Sequence, residues 1–330
     1  MEEGGALIGL ANNGRLDHLD SQILMHLQRD GRSPYTALAA LCGVSEGTIR
    51  KRMQRLESRG VVRIVGFTDP ARTGMDTAAV IWLRAERGRL TEVVSQITAL
   101  KQTHYVAYTT GASDILAIVT LASQEELVSF LAQDLGAIEG LTETETSMVL
   151  KTCKQAYNWS PWPHQLTPQA PNMEMKEELD TVDLAIVRYL QQDGRMTFVT
   201  IAEELGITES TVRRRVTSLL DSGVMQVAAI LNPAKIGFTT VAMIGIKVER
   251  HRTEDIIRTL ASMTDVRYLA VSTGKYDLII EVVQQSNERL LDFLVDTLED
   301  IPGILRTDTH LILKLSKETY DWGVAPGILG

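Results

Sequence analysis

The segment Leu16-Asp17-His18-Leu19-Asp20 returns as Leu179-Asp180-Thr181-Val182-Asp183, and the offset of 163 residues holds without a gap to Trp159 and Trp322. Asp30-Gly31-Arg32 maps onto Asp193-Gly194-Arg195, Gly60-Val61 onto Gly223-Val224, and Pro70-Ala71 onto Pro233-Ala234. Roughly a third of positions are identical between the two copies, which coincidence does not produce. A period this long is not a solenoid unit. Each copy must therefore be a complete module, expected to hold two small domains, and the chain a covalent pair of modules.

Between the copies, residues 160–178 carry Pro161, Pro163, Pro168 and Pro171 and end in Glu174, Glu177 and Glu178. Proline at that density reads as an extended linker. Residues 1–15 read as a flexible N-terminal tail and 323–330 as a C-terminal tail. With 44% hydrophobic and 23% charged residues the composition is that of a globular protein, and two cysteines build neither a disulfide framework nor a zinc site. Apolar runs such as Ile115–Ala122 fall far short of the roughly 20 residues that span a bilayer, and the acidic start resembles no signal peptide. A cytoplasmic protein without a membrane partner is expected.

The first third of each copy has helical periodicity. Leu19, Ile23, Leu24 and Leu27 mark one helix, residues 35–42 a second that stops at Gly43, and residues 46–59 a third that stops at Gly60. Two short helices joined by a tight glycine turn form a helix-turn-helix, whose second helix enters the major groove of double-stranded DNA. On the third helix Ile49, Met53 and Leu56 make a core stripe, as do Val212, Val216 and Leu219 in copy two. The DNA-facing candidates lie opposite or on the flanks. They are Gly47, Thr48, Arg50, Lys51, Arg52, Gln54 and Arg55 in copy one, and Ser210, Thr211, Arg213, Arg214, Arg215, Thr217 and Ser218 in copy two. Small and hydroxylic residues near the N-terminus suit approach to base edges, and basic ones further along suit guanine or phosphate. Arg52 and Arg215 flank the core stripe and equally suit a structural pair with a nearby carboxylate. Lys51→Ala and Arg55→Ala are expected to weaken DNA binding and lower its salt dependence.

A formal charge of −9 does not exclude such a partner. The recognition segments 45–59 and 208–222 are locally positive, by +3 and +1, so contact is confined to a few faces.

The remainder of each copy reads strand, helix, strand, strand, helix, strand, the βαββαβ order of a ferredoxin-like domain. In copy one these are residues 77–84, 90–100, 105–109, 115–120, 124–135 and 144–150; copy two repeats them at 241–248, 255–263, 268–272, 278–283, 288–298 and 307–315. One sheet face needs a cover, and the matching domain of the other copy supplies it most simply, giving an intrachain pseudo-dimer. The expected class is α+β: a helix-turn-helix domain (16–66, 179–229), winged or plain, followed by a ferredoxin-like domain (67–159, 230–322), written twice.

The opening Leu16-Asp17…Asp20, the Asp30-Gly31-Arg32 turn, the helix ending Arg52…Leu56…Gly60-Val61 and the βαββαβ domain together resemble the Lrp/AsnC, or feast/famine, transcription regulators. The resemblance covers both copies. It implies DNA binding by the first domain and sensing of a small-molecule effector, commonly an amino acid, by the second. It also implies self-association beyond the intrachain pair. Family members carry a Gly-x-Tyr-Asp sequence beside the ligand pocket, matched by Gly274-Lys275-Tyr276-Asp277 after Ser272-Thr273; copy one has Gly111-Ala112-Ser113-Asp114, without the tyrosine. On that resemblance Ser272, Thr273, Gly274, Tyr276 and Asp277, with Gly111 and Asp114, are the effector-binding candidates. Glycine would allow close backbone approach, aspartate would accept from an ammonium group, and tyrosine would wall the pocket. The plainer reading is a hairpin turn whose aspartate bonds its own backbone.

No phosphate loop, nucleophile elbow or recurrent histidine cluster is present, and no cofactor, metal or catalytic residue is expected. Two alternatives stand beside the regulator: an architectural DNA-binding protein without effector, and an enzyme resembling siroheme decarboxylases, which share the fold. Copy two, with 16 basic against 21 acidic residues, suits a many-carboxylate tetrapyrrole poorly.

Overall fold

The computed structural model describes residues 16–156, 159 and 179–320; the expected tails and linker lie outside them. The described residues sort into two units, each drawing on both copies.

The first unit contains residues 16–72, 159 and 179–238. Helices α1 (His18–Arg29), α2 (Tyr35–Cys42) and α3 (Glu46–Ser58) precede strand β1 (Val62–Thr68), and α6 (Thr181–Gln192), α7 (Phe198–Leu205) and α8 (Glu209–Asp221) precede β6 (Met225–Leu231). The helices begin where polar caps are available. Asp17 accepts from Asp20 N while Asp20 accepts from Asp17 N, a reciprocal box repeated by Asp180 and Asp183. Gly43 and Gly206 end α2 and α7 at φ 67° and 65°, a left-handed turn that side chains disfavour. The expected stripe Ile49, Met53, Leu56 is buried, as is Val212, Val216, Leu219.

Neither β1 nor β6 forms a wing within its own domain. They pair with each other, antiparallel, from Val62 opposite Leu231 to Thr68 opposite Met225. The first helices are exchanged as well: α1 packs on β6 and α6 on β1. Gly66 permits this, since a Cβ there would stand 3.1 Å from the Leu190 backbone. Trp159 lies edge-on to Phe238 with ring centroids 5.0 Å apart, and its carbonyl accepts from Gln28.

The second unit contains residues 73–156 and 239–320. Copy one contributes β2 (Thr77–Ala85), α4 (Leu90–Ala99), β3 (Thr103–Thr109), β4 (Ile115–Leu121), α5 (Gln124–Ser129, continuing as a π-helical turn to Leu135) and β5 (Leu141–Gln155). Copy two contributes β7 (Thr240–Val248), α9 (Thr253–Ser262), β8 (Val266–Ser272), β9 (Leu278–Gln284), α10 (Asn287–Asp292, continuing likewise to Leu298) and β10 (Ile304–Glu318). The ferredoxin-like orders β3-β4-β2-β5 and β8-β9-β7-β10 are joined into a closed antiparallel barrel. The last strand of each copy makes the joint: β5 runs with β2 as far as Val149 and then with β8, while β10 leaves β7 for β3.

Each sheet buries one face under its own helices. Ile81, Val93, Ile97 and Phe130 lie in one such core, and Ile244, Ile256, Leu260 and Phe293 in its counterpart. A third cluster fills the interior between the copies, with Trp82, Tyr105 and Leu116 from one and Met243, Tyr276 and Ile279 from the other. Among the described residues, no helix is long and apolar enough to cross a membrane.

Candidate nucleic-acid interface and effector loops

The helix-turn-helix carries α3 and α8 with one face against the core, which leaves the other to solvent. Gly47, Arg50, Lys51, Gln54 and Arg55 are exposed on α3, and Ser210, Arg213, Arg214, Thr217 and Ser218 on α8; Thr48, Arg52, Thr211 and Arg215 are half-buried. Ser45 and Thr208 cap the two helices by accepting from Thr48 N and Thr211 N.

The basic side chains divide by what already holds them. Arg52 pairs with Asp17 and with Asp20 at 3.1 Å, and Arg55 with Asp20 at 2.5 Å; the Asp20 carboxylate is only 1% exposed. Arg215 repeats the arrangement with Asp180 at 2.7 Å and Asp183 at 2.8 Å. Partial burial works to raise the carboxyls of Asp17 and Asp180, but the Asp20 and Asp183 amides and the guanidinium groups outweigh it and hold both below the ordinary aspartate value. These arginines tie the recognition helix to the first helix, so Arg55 does not have the free DNA-facing role expected of it. Arg50 and Arg213 are intermediate: each pairs with the glutamate one turn earlier, Glu46 at 2.7 Å and Glu209 at 2.6 Å, and rests over an aromatic ring, Tyr35 or Phe198. Among the described residues, no side-chain hydrogen bond or ion pair engages Lys51, Gln54 or Arg214.

The loops β3–β4 and β8–β9 sit where the copies meet. Thr273 exchanges backbone and hydroxyl hydrogen bonds with Met148 of β5, and Thr110 does the same with Leu311 of β10. Gly111 and Gly274 take φ of 97° and 89°. Ser272 donates from its hydroxyl to Tyr276 O, closing the loop.

Both loop aspartates already accept hydrogen bonds from within the protein. Asp277 accepts from Val248 N and Lys247 Nζ, both at 3.0 Å, and Asp114 from Ala85 N at 3.1 Å. Asp114 fastens its loop to the end of β2, and Asp277 fastens its loop to the end of β7. Tyr276 is 3% exposed, donates to Asp308 at 3.0 Å and approaches His310 Nε2 at 3.5 Å. Its ring covers Gly245, where a Cβ would come within 2.4 Å of it. At the equivalent places copy one has Trp82 for Gly245 and Ser113 for Tyr276, so strand and loop have traded the aromatic. The Trp82 indole lies 4.4 Å from the His310 ring and edge-on to Tyr276 at 5.8 Å. Burial keeps the His310 imidazole below its usual range. Trp82, Asp308 and His310 were not among the sequence candidates; the compensating glycine in a strand was the available sign.

Two family models each match twice. The AsnC-type helix-turn-helix domain matches residues 16–57 and 179–220, and the Lrp/AsnC ligand binding domain matches 78–159 and 241–322. A helix-turn-helix-type transcriptional regulator of Pyrococcus furiosus is 38% identical over 148 residues, 44% of this chain and 97% of that protein. The regulator FL11 of Pyrococcus abyssi is 34% identical over 148 residues, again 44% and 97%. One copy here thus spans nearly a whole relative. Among solved structures, the siroheme decarboxylase NirDL superposes with a TM-score of 0.64 at 17% identity, over 92% of this chain and 93% of its own, a likeness of fold. With both domain models matched in order in both halves, the chain belongs to the Lrp/AsnC family and carries the family's two domains in tandem.

Proposed function

We propose that the protein is a sequence-specific DNA-binding transcription regulator whose two recognition helices enter successive major grooves, about 34 Å apart, within one chain. It acts in the cytoplasm on double-stranded DNA. A small-molecule effector, of amino-acid type, is taken at the β3–β4 and β8–β9 loops, and further chains associate beyond the intrachain pair. The observation that carries the DNA reading is the pairing of both helix-turn-helix domains in one unit with unlike side chains left free. Copy one offers Lys51 and Gln54 beside Gly47 and Thr48; copy two offers Arg214, Thr217 and Ser218 beside Ser210 and Thr211. Two half-sites of different sequence follow.

Selection of a binding site from random duplexes tests this, and an asymmetric operator is the expected result. A perfect palindrome read equally by both copies would contradict it. On the selected site Lys51→Ala and Arg214→Ala should each lower affinity and reduce the slope of log affinity against log salt by about 1. Calorimetry against a set of amino acids tests the effector, with Tyr276→Ala as the variant expected to change the response. Heat of binding to none of them would leave the architectural reading standing.

The NirDL likeness spans both copies and motivates one enzymatic control. Titration with siroheme should leave its Soret band unshifted; a saturating shift would favour the enzyme instead.

A further inference from the structure

Arg32 and Arg195 occupy the same place in the two copies, in the turn after the first helix, and each reaches into the other copy. Arg32 Nη1 donates to Gly194 O at 2.6 Å and Nη2 to Met196 O at 3.2 Å. Arg195 Nε donates to Gly31 O at 2.8 Å and Nη2 to Ser33 O at 2.6 Å. The guanidinium of Arg32 lies 4.6 Å from the Phe198 ring centroid and that of Arg195 4.4 Å from the Tyr35 centroid. These are the rings that support the recognition-helix arginines, Arg213 at 5.0 Å and Arg50 at 5.4 Å. Each ring is therefore shared between a recognition helix of its own copy and an arginine from the other.

The backbones are equally close. Gly31 N donates to Val227 O at 2.8 Å and Gly194 N to Ile64 O at 2.9 Å. A Cβ on Gly31 would stand 2.9 Å from the Ala228 backbone, and one on Gly194 3.0 Å from that of Val65. Each turn is thus pinned to the opposite strand of the β1–β6 ribbon.

We propose that Arg32 and Arg195 form a reciprocal clamp that fixes the distance and angle between the two recognition helices, and so determines which half-site spacing the chain accepts. The proposal rests on the DNA-binding reading above. A guanidinium presents planar, preorganised donors, so two carbonyls and a ring face define its position in a way that an ammonium would not. Among the described residues no carboxylate stands within ion-pair distance of either arginine, so their hydrogen bonds go to backbone of the other copy. Burial, and then the charge of Arg195, lower the Arg32 pKa. Each guanidinium commits one N–H to each of two carbonyls of the other copy. Arg32 and Arg195 are accordingly positioning residues.

The test uses the full chain, the selected operator, and duplexes in which the half-sites are moved by one base pair in either direction, with affinity read by fluorescence anisotropy. One base pair shifts a half-site by about 3.4 Å and about 35°, which a rigid pair of helices cannot follow. The wild-type protein should lose about tenfold per displaced base pair, whereas Arg32→Gln with Arg195→Gln should lose less than about threefold. That variant should keep wild-type affinity for a duplex with a single half-site, and an unchanged salt slope. A spacing optimum as sharp as wild type would overturn the proposal. So would loss of single-half-site affinity with a reduced salt slope, which would make these arginines phosphate ligands. Should the double variant not fold, Arg32→Lys and Arg195→Lys keep the charge but not the planar fork, and each should broaden the optimum; an unbroadened optimum again overturns the clamp. Failure of the wild-type chain to bind any duplex would remove the DNA reading itself, a result distinguishable from all of these.

Discussion

Asp20 shows how a single buried carboxylate decides which arginines can serve DNA. It is enclosed, caps Asp17 N, and takes both Arg52 and Arg55. Removing both arginines strands that charge, at a cost of about 3–5 kcal/mol. In copy two the equivalent of Arg55 is Ser218, and Asp183 is less enclosed, so Arg215→Ala should cost about 1 kcal/mol. Thermal unfolding should therefore show a much larger drop for Arg52→Ala with Arg55→Ala than for Arg215→Ala, and Arg55→Ala alone should leave the salt slope of DNA binding intact. Equal drops, or a lower salt slope for Arg55→Ala, would restore that side chain to the DNA face. The helical wheel placed Arg55 outward correctly; its commitment was hidden because the partner lies 35 residues earlier. Asp277 was opaque for the same reason, its carboxylate accepting from Lys247 and Val248 on another strand. Gly245 is the clearest case of a residue whose meaning is supplied by a distant neighbour. Gly245→Ala would force the Tyr276 ring aside and should cost about 1–3 kcal/mol, and in a Tyr276→Ala background the same change should cost almost nothing. Additive losses in that double-mutant cycle would show that the ring does not rest there.

Among the elements, the helices were legible because each has one apolar and one polar face, and the caps Ser45, Thr208, Gly43 and Gly206 stand at their ends. The last strand of each copy was read short. Residues 144–150 and 307–315 carry the apolar alternation, but β5 and β10 continue to Gln155 and Glu318 through Lys151, Lys154 and Lys317. That polar stretch is held by ladder bonds to the other copy, which hydrophobic periodicity does not report. Two of its lysines bury their stems and donate to carbonyls, Lys154 to Met263 O and Lys317 to Leu100 O, both at 2.7 Å. Amide hydrogen exchange should then find residues 150–155 and 313–318 protected to the same degree as β2 and β7. Exchange as fast as the turn at residues 86–89 would mean that the barrel is not closed. The ribbon β1–β6 escaped the sequence similarly, since a lone extended segment after a helix-turn-helix looks alike as a wing and as half of an exchanged pair.

For the whole molecule, the repeat made the tandem architecture legible, whereas the differences between copies acquire meaning only when the copies face each other. Buried Glu281 accepts from Tyr105 of copy one at 3.0 Å and from Arg267, which also reaches Glu318 at 3.0 Å. At the equivalents of Arg267, Glu281 and Glu318, copy one has His104, Ile118 and Gln155, so this network has no counterpart on the other side of the barrel. The aromatic exchange has the same directionality. A pair of first copies would hold two Trp82 and no Tyr276, and a pair of second copies would hold two Tyr276 with no Trp82 to meet them. A pair of first copies would set Ile118 where Tyr105 needs the Glu281 carboxylate, and a pair of second copies would duplicate the buried charges. Each mismatch costs about 1–3 kcal/mol through a cavity or an unpaired polar group, enough to bias pairing by tenfold or more. Residues 1–165 and 172–330, made as separate chains, unfolded together and refolded as an equimolar mixture, should therefore return mostly the unlike pair when counted by native mass spectrometry. A statistical mixture, half unlike and a quarter of each like pair, would show that the copies are interchangeable and that their divergence serves DNA contacts alone.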